Sequence, residues 1–208
     1  MIKAILFDVD GVLLDSFEAN LKFFQNLMAW AGYPGPTREE FPQIFPLTMW
    51  DGIKAITKLT DEQKIQNIWD EGKTDRILYP IELLKMPDHA EQTIQMLSHS
   101  HDLAIVTSRV RDGIYEIPGL LKLKSYFKVA VAYEDTVRHK PDPEPLLLAA
   151  KRLDAAPHES VYIGDVENDM KAAKAAGMKG ILYAKHTVKE ADACTSSFAQ
   201  LPELIQSL

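Results

Sequence analysis

Five short apolar runs punctuate the chain: Ala4 to Phe7, Leu103 to Val106, Val129 to Ala132, Val161 to Ile163 and Gly180 to Tyr183. Bounded by polar residues and only a few residues long, they predict strands buried on both faces, as in a parallel sheet. Helical periodicity separates the later runs, at His89 to Ser98, Pro145 to Leu153 and Asp169 to Ala176. Strands alternating with helices predict an α/β sheet wound by crossover connections. Reactive groups in such sheets gather beyond the carboxyl ends of the strands. Asp8, Thr107 and Asp165 fall at such ends.

Between the first two runs the alternation stops. Phe17, Leu21, Phe24, Met28 and Ala31 form a helical stripe, and Asp15 with Glu18 has the spacing of a capping box. Gly32-Tyr33-Pro34-Gly35-Pro36 ends that helix. Two more helical patterns follow, near Trp50 to Leu59 and Asp61 to Leu78. The expected division is therefore a sheet domain of residues 1–14 and 86–208, interrupted by a helical subdomain of residues 15–85.

Composition narrows the possible partners. Among 208 residues, 30 acidic side chains against 23 basic ones give a net charge of −7. That balance disfavours nonspecific binding to nucleic acid or an anionic membrane. The expected partner is a small molecule, and nothing in the sequence speaks to oligomeric state. No apolar stretch has transmembrane length. Cys194 has no second cysteine to pair with, and the first apolar run is broken by Asp8 and Asp10 in a way foreign to a signal peptide. The expected setting is the cytoplasm.

Chemistry concentrates in four segments. Asp8-Val9-Asp10-Gly11 places two carboxylates on one side of an extended backbone, followed by a glycine that can turn or approach a ligand. Like charges held this close need a cation or a shared proton. Ile105-Val106-Thr107-Ser108 ends a strand in hydroxyls, and Lys140 sits in His139-Lys140-Pro141-Asp142-Pro143. Gly164-Asp165-Val166-Glu167-Asn168-Asp169 leads from a strand into a helix that Gly177 should end. Each alone reads as a turn, a cap or a solvated charge. All four in this order on one scaffold point to a site.

This ordered set resembles the haloacid dehalogenase superfamily, and the run Asp8 to Ser16 is similar to its phosphoglycolate phosphatase and β-phosphoglucomutase branch. The resemblance implies a Rossmann-like parallel sheet with an inserted helical cap. It implies Asp8 as the nucleophile that forms an aspartyl-phosphate, and Asp10 as general acid and then general base. It implies Mg²⁺ held by Asp8, Asp165 and the Asp10 backbone carbonyl. Thr107, Ser108 and Lys140 would hold the phosphate, with Asp169 in support, orienting Lys140 or a metal-bound water. Four carboxylates and one ammonium leave that site at −3, so an anionic phosphate needs the ion to enter.

The turn from Phe45 to Trp50 lies where related caps present a specificity loop, but Phe45-Pro46 stands where glycine is frequent. Trp50 is expected in the core of the insert. His139, Arg109 and Arg111 read as solvated loop residues, although either arginine could reach a second anionic group. The implied activity is a Mg²⁺-dependent phosphatase acting on a small phosphorylated metabolite. A phosphomutase using the same aspartyl-phosphate is the nearest alternative. A 2-haloacid dehalogenase and a catalytically idle binding module stand further off.

Overall fold

In a computed structural model, which describes residues 1–115 and 117–208, the chain forms two compact units. One comprises Met1–Asp15 and Met86–Leu208, the other Ser16–Lys85. No helix among the described residues is long and apolar enough to cross a membrane.

The first unit is a six-stranded, all-parallel sheet flanked by helices. Its strands are β1 (Ala4–Phe7), β2 (Asp102–Val106), β3 (Phe127–Val131), β4 (Ser160–Gly164), β5 (Lys179–Tyr183) and β6 (Ala193–Thr195). Their spatial order is β3-β2-β1-β4-β5-β6. Every side chain of β1 is fully buried, which explains why the run carries no polar alternation. Burial of each Ile, Leu or Phe there contributes about 1.5–3 kcal/mol. β1 pairs with β2 on one side and β4 on the other, with Phe7 level with Ile105 and Ile163. The chain order reverses between β1 and β4, where open α/β sheets place their ligands.

The helices of both units follow from apolar spacing. In the second unit, α1 (Phe17–Trp30), α2 (Met49–Thr57) and α3 (Glu62–Glu71) enclose Phe23, Phe24, Leu27, Met28, Phe41, Ile53 and Ile65. In the first unit, α4 (Ala90–Ser98), α5 (Pro118–Leu123), α6 (Glu144–Arg152), α7 (Glu167–Ala176) and α8 (Leu201–Ser207) complete the fold. Ala172, Ala173 and Ala176 of α7 pack inward, and Gly177 closes that helix at φ 73°.

Two local expectations need correction. The Asp15–Glu18 capping box does not form: α1 begins after Ser16, whose side chain makes no capping bond. Leu14 is bridged to Asp10, so the chain is still extended where a cap would sit. The pattern running to Leu78 gives a helix only to Glu71, because Gly72 stops it and Thr74 turns back to bond Glu71. Trp50 packs against the apolar cluster of the helical unit, as expected.

Candidate active site

Four of the sequence-selected residues meet in one buried cluster. Asp8 follows β1, its backbone N–H donating to Ile163 O of the adjacent β4 at 2.9 Å. Its Oδ1 accepts the Val9 N–H at 2.7 Å and its Oδ2 accepts from Lys140 Nζ at 2.6 Å. Lys140 Nζ also pairs with Asp169 Oδ1 at 2.8 Å. Asp169, fully buried in the first turn of α7, accepts the Asp165 and Val166 N–H groups on Oδ2 at 3.1 and 3.2 Å. A carboxylate at a helix N-terminus is favoured by the orphan N–H groups there.

Asp165 completes the group. Glycine is needed on both sides of it for different reasons. A Cβ on Gly11, which has φ 72°, would run into the Asp165 carboxylate, and one on Gly164 would overlap the Asp169 side chain. The turn after β1 is tightened further by Gly11 N–H to Leu14 O at 2.7 Å and Leu14 N–H to Val9 O at 2.9 Å.

Thr107 is buried at the end of β2, held by its N–H to Val131 O at 3.0 Å. Its Oγ1 accepts the Arg109 N–H at 3.2 Å, which leaves the hydroxyl proton available to a ligand. Ser108 follows it, half-buried.

Electrostatics in this cluster are strongly perturbed. Burial pushes Asp8 up from 3.8 to about 7, with Lys140 opposing and Asp169 adding to the rise. Asp165 is also held well above the usual carboxylate range, first by burial and then by Asp169 and Asp8. Burial works against the Lys140 ammonium, but Asp169 and Asp8 override it and keep its proton bound more tightly than usual. Carboxyl groups so reluctant to ionise together form an arrangement whose ionised state a bound cation would favour.

The donor chemistry fits a divalent cation. One carboxylate oxygen from each of Asp8, Asp165 and Asp169 lies within 4.8 Å of the others. All are hard oxygen donors, suited to Mg²⁺ rather than a soft metal. Asp169 already accepts from Lys140 and from two backbone N–H groups, so Asp8 and Asp165 are the carboxylates best placed to coordinate.

The Asp10 carboxylate is not among those three; it pairs with Arg109. The Arg109 Nε donates to Asp10 Oδ2 and its Nη2 to Oδ1, both at 2.8 Å. Arg109 is therefore not a solvated loop charge: its side chain is 11% exposed. Arg111, half-exposed, pairs instead with Asp135. His139 stacks on Tyr133 with ring centroids 4.1 Å apart, so it too is less solvated than expected. Counting Arg109 raises the site's formal charge from −3 to −2, which one divalent cation would neutralise.

Tyr162 is a second residue that sequence reading missed. It lies fully buried in β4, where an aromatic side chain looks like ordinary core. Its hydroxyl accepts from Lys140 Nζ at 2.8 Å and lies 3.2 Å from Val106 O and 3.3 Å from Asp169 Oδ1.

With this geometry in view, the relatives are informative. The family model for haloacid dehalogenase-like hydrolases matches residues 5–183. The chain belongs to that family. It is 31% identical over 182 residues to pyrophosphatase PpaX of Bacillus pumilus, covering 86% of this chain and 81% of the relative. A HAD-superfamily hydrolase of subfamily IA from Geobacter sulfurreducens superposes with a TM-score of 0.72 at 27% identity, covering 98% of this chain and 96% of that one. CbbY from Rhodobacter sphaeroides, solved in complex with phosphate, superposes with a TM-score of 0.82 at 26% identity, covering 97% and 96%.

Proposed function

We propose that this hydrolase is a Mg²⁺-dependent phosphatase that removes phosphate from a small phosphorylated metabolite through an aspartyl-phosphate on Asp8. The observation that carries this reading is the meeting of Asp8, Asp165, Asp169 and Lys140 where β1 and β4 end side by side.

Asp8 is held by Val9 and Lys140 so that its carboxylate cannot swing freely, which favours in-line attack on phosphorus. As the Asp8–phosphorus bond forms, the bond to the leaving oxygen breaks and Asp10 donates its proton to that oxygen. Asp10 then takes a proton from the water that cleaves the aspartyl-phosphate, returning Asp8. Thr107, Ser108 and Lys140 would hold the equatorial oxygens of the phosphoryl group. Mg²⁺, bound through Asp8, Asp165 and the Asp10 backbone carbonyl, would supply positive charge against those oxygens. Asp169 fixes Lys140 and takes no direct part. The helical unit, residues 15–85 on the expected boundaries, would serve as the cap that selects the leaving group.

The Bacillus relative's name makes pyrophosphate a natural first substrate beside phosphoglycolate and sugar phosphates. p-Nitrophenyl phosphate with Mg²⁺ should release phosphate, and Asp8→Asn should abolish release. Equal rates for wild type and variant would overturn the proposal. Interconversion of hexose phosphates without phosphate release would replace it with a mutase.

A further inference from the structure

Among the described residues, Arg109 is the charged side chain at this site that the phosphatase reading leaves without work. Its guanidinium presents two parallel N–H donors to the two oxygens of a single carboxylate, that of Asp10. Bidentate pairing of this kind fixes the plane of the carboxylate as well as its position, which a lysine ammonium cannot do.

The fork is itself anchored. The Arg109 N–H donates to Thr107 Oγ1 at 3.2 Å, and the Tyr133 N–H donates to Arg109 O at 2.9 Å. Its Nη1 reaches Gly113 O at 3.5 Å. Asp10 lies on the turn after β1, and 24% of its side chain remains exposed. A carboxylate so placed would otherwise be pushed about by the acidic cluster two residues away.

We propose that Arg109 positions Asp10 for proton transfer to the leaving oxygen, an inference that rests on the phosphatase reading above. The proton passes from Asp10 to the leaving oxygen while the phosphorus–oxygen bond breaks and the Asp8–phosphorus bond forms. The fork fixes both the plane and the position of the Asp10 carboxylate on the turn after β1, so that the group is already oriented when a leaving oxygen arrives.

The experiment reads kcat/KM across phosphate monoesters, from p-nitrophenyl phosphate, whose leaving group needs no proton, to alkyl phosphates, whose leaving group does. Arg109→Met should lower kcat/KM on alkyl phosphates about 10–100-fold and on p-nitrophenyl phosphate by no more than a few-fold. Arg109→Lys should recover only part of the loss. Asp10→Asn should show the same leaving-group pattern, and adding Arg109→Met to it should cost nothing further. Partial unfolding scales every substrate equally and cannot produce that pattern. A uniform loss across leaving groups, or additivity with Asp10→Asn, would overturn the inference while leaving the phosphatase reading intact. Hydrolysis by wild type no faster than by Asp8→Asn would remove both.

Discussion

The two units of this chain spend burial differently. The core of the helical unit is an aliphatic and aromatic cluster in which Phe41 packs against Phe17, Phe24 and Phe45 at centroid distances of 5.2, 5.9 and 6.0 Å, with buried Glu71 paired to Arg76 at its edge. The sheet unit also has a dry core, but at the carboxyl ends of β1 and β4 it buries Asp8, Asp169 and Lys140 together. Buried ionic groups seldom stabilise a fold as well as apolar residues of similar volume. Their cost is borne for chemistry. The core of the helical unit thus favours stability, whereas one end of the sheet is built against it.

Substitutions should break or sharpen that contrast. The largest stability effect should come from Phe41→Ala, which empties the middle of the aromatic cluster and should cost about 3–5 kcal/mol in denaturant unfolding. A loss well under that would mean the helical core is looser than its packing indicates.

An intermediate effect should come from pH in metal-free protein. Asp8 is raised from 3.8 to about 7 on folding, so the folded state binds the extra proton. The stability this gives is complete below the unfolded value and is lost as pH rises through about 7. Thermal unfolding without metal should therefore show falling stability from mildly acid to neutral pH. Asp8→Asn should make the slope shallower, with Asp165 supplying what remains. Added Mg²⁺ should stabilise most at the neutral end, where its ligands are ionised. An unchanged slope in Asp8→Asn would contradict the assignment of buried charge to that carboxylate.

The smallest effect should come from Tyr162→Phe. It keeps the ring in the core but removes one acceptor from Lys140, about 1 kcal/mol or several-fold in kcat. KM should be little changed. A Lys140→Ala background should mask the effect, since the hydroxyl acts through that ammonium.

Much of this was legible in the sequence. All five apolar runs became strands within two residues, because the central strands of a parallel sheet are buried on both faces; the edge strand β3, with exposed Lys128 inside it, is the one whose start the run missed by two. β6 was not legible: Ala193, Cys194 and Thr195 are too few and too small to stand out as an apolar run. The site residues announced themselves by local spacing, and Asp8, Asp165, Asp169 and Lys140 do come together. Arg109 did not, because its partner lies 99 positions away and an arginine just past a strand looks solvated from sequence. Tyr162 hid for the opposite reason, as an aromatic in an apolar strand whose only unusual atom is its hydroxyl.

The central claim is that Asp8 takes the phosphoryl group onto its own carboxylate. Rapid acid quench during turnover of a phosphate-labelled substrate with Mg²⁺, followed by peptide mapping, tests it directly. The account predicts label on the peptide at Asp8, chased off by unlabelled substrate and missing in Asp8→Asn. Steady turnover with no labelled protein, or label that persists in Asp8→Asn, would contradict it.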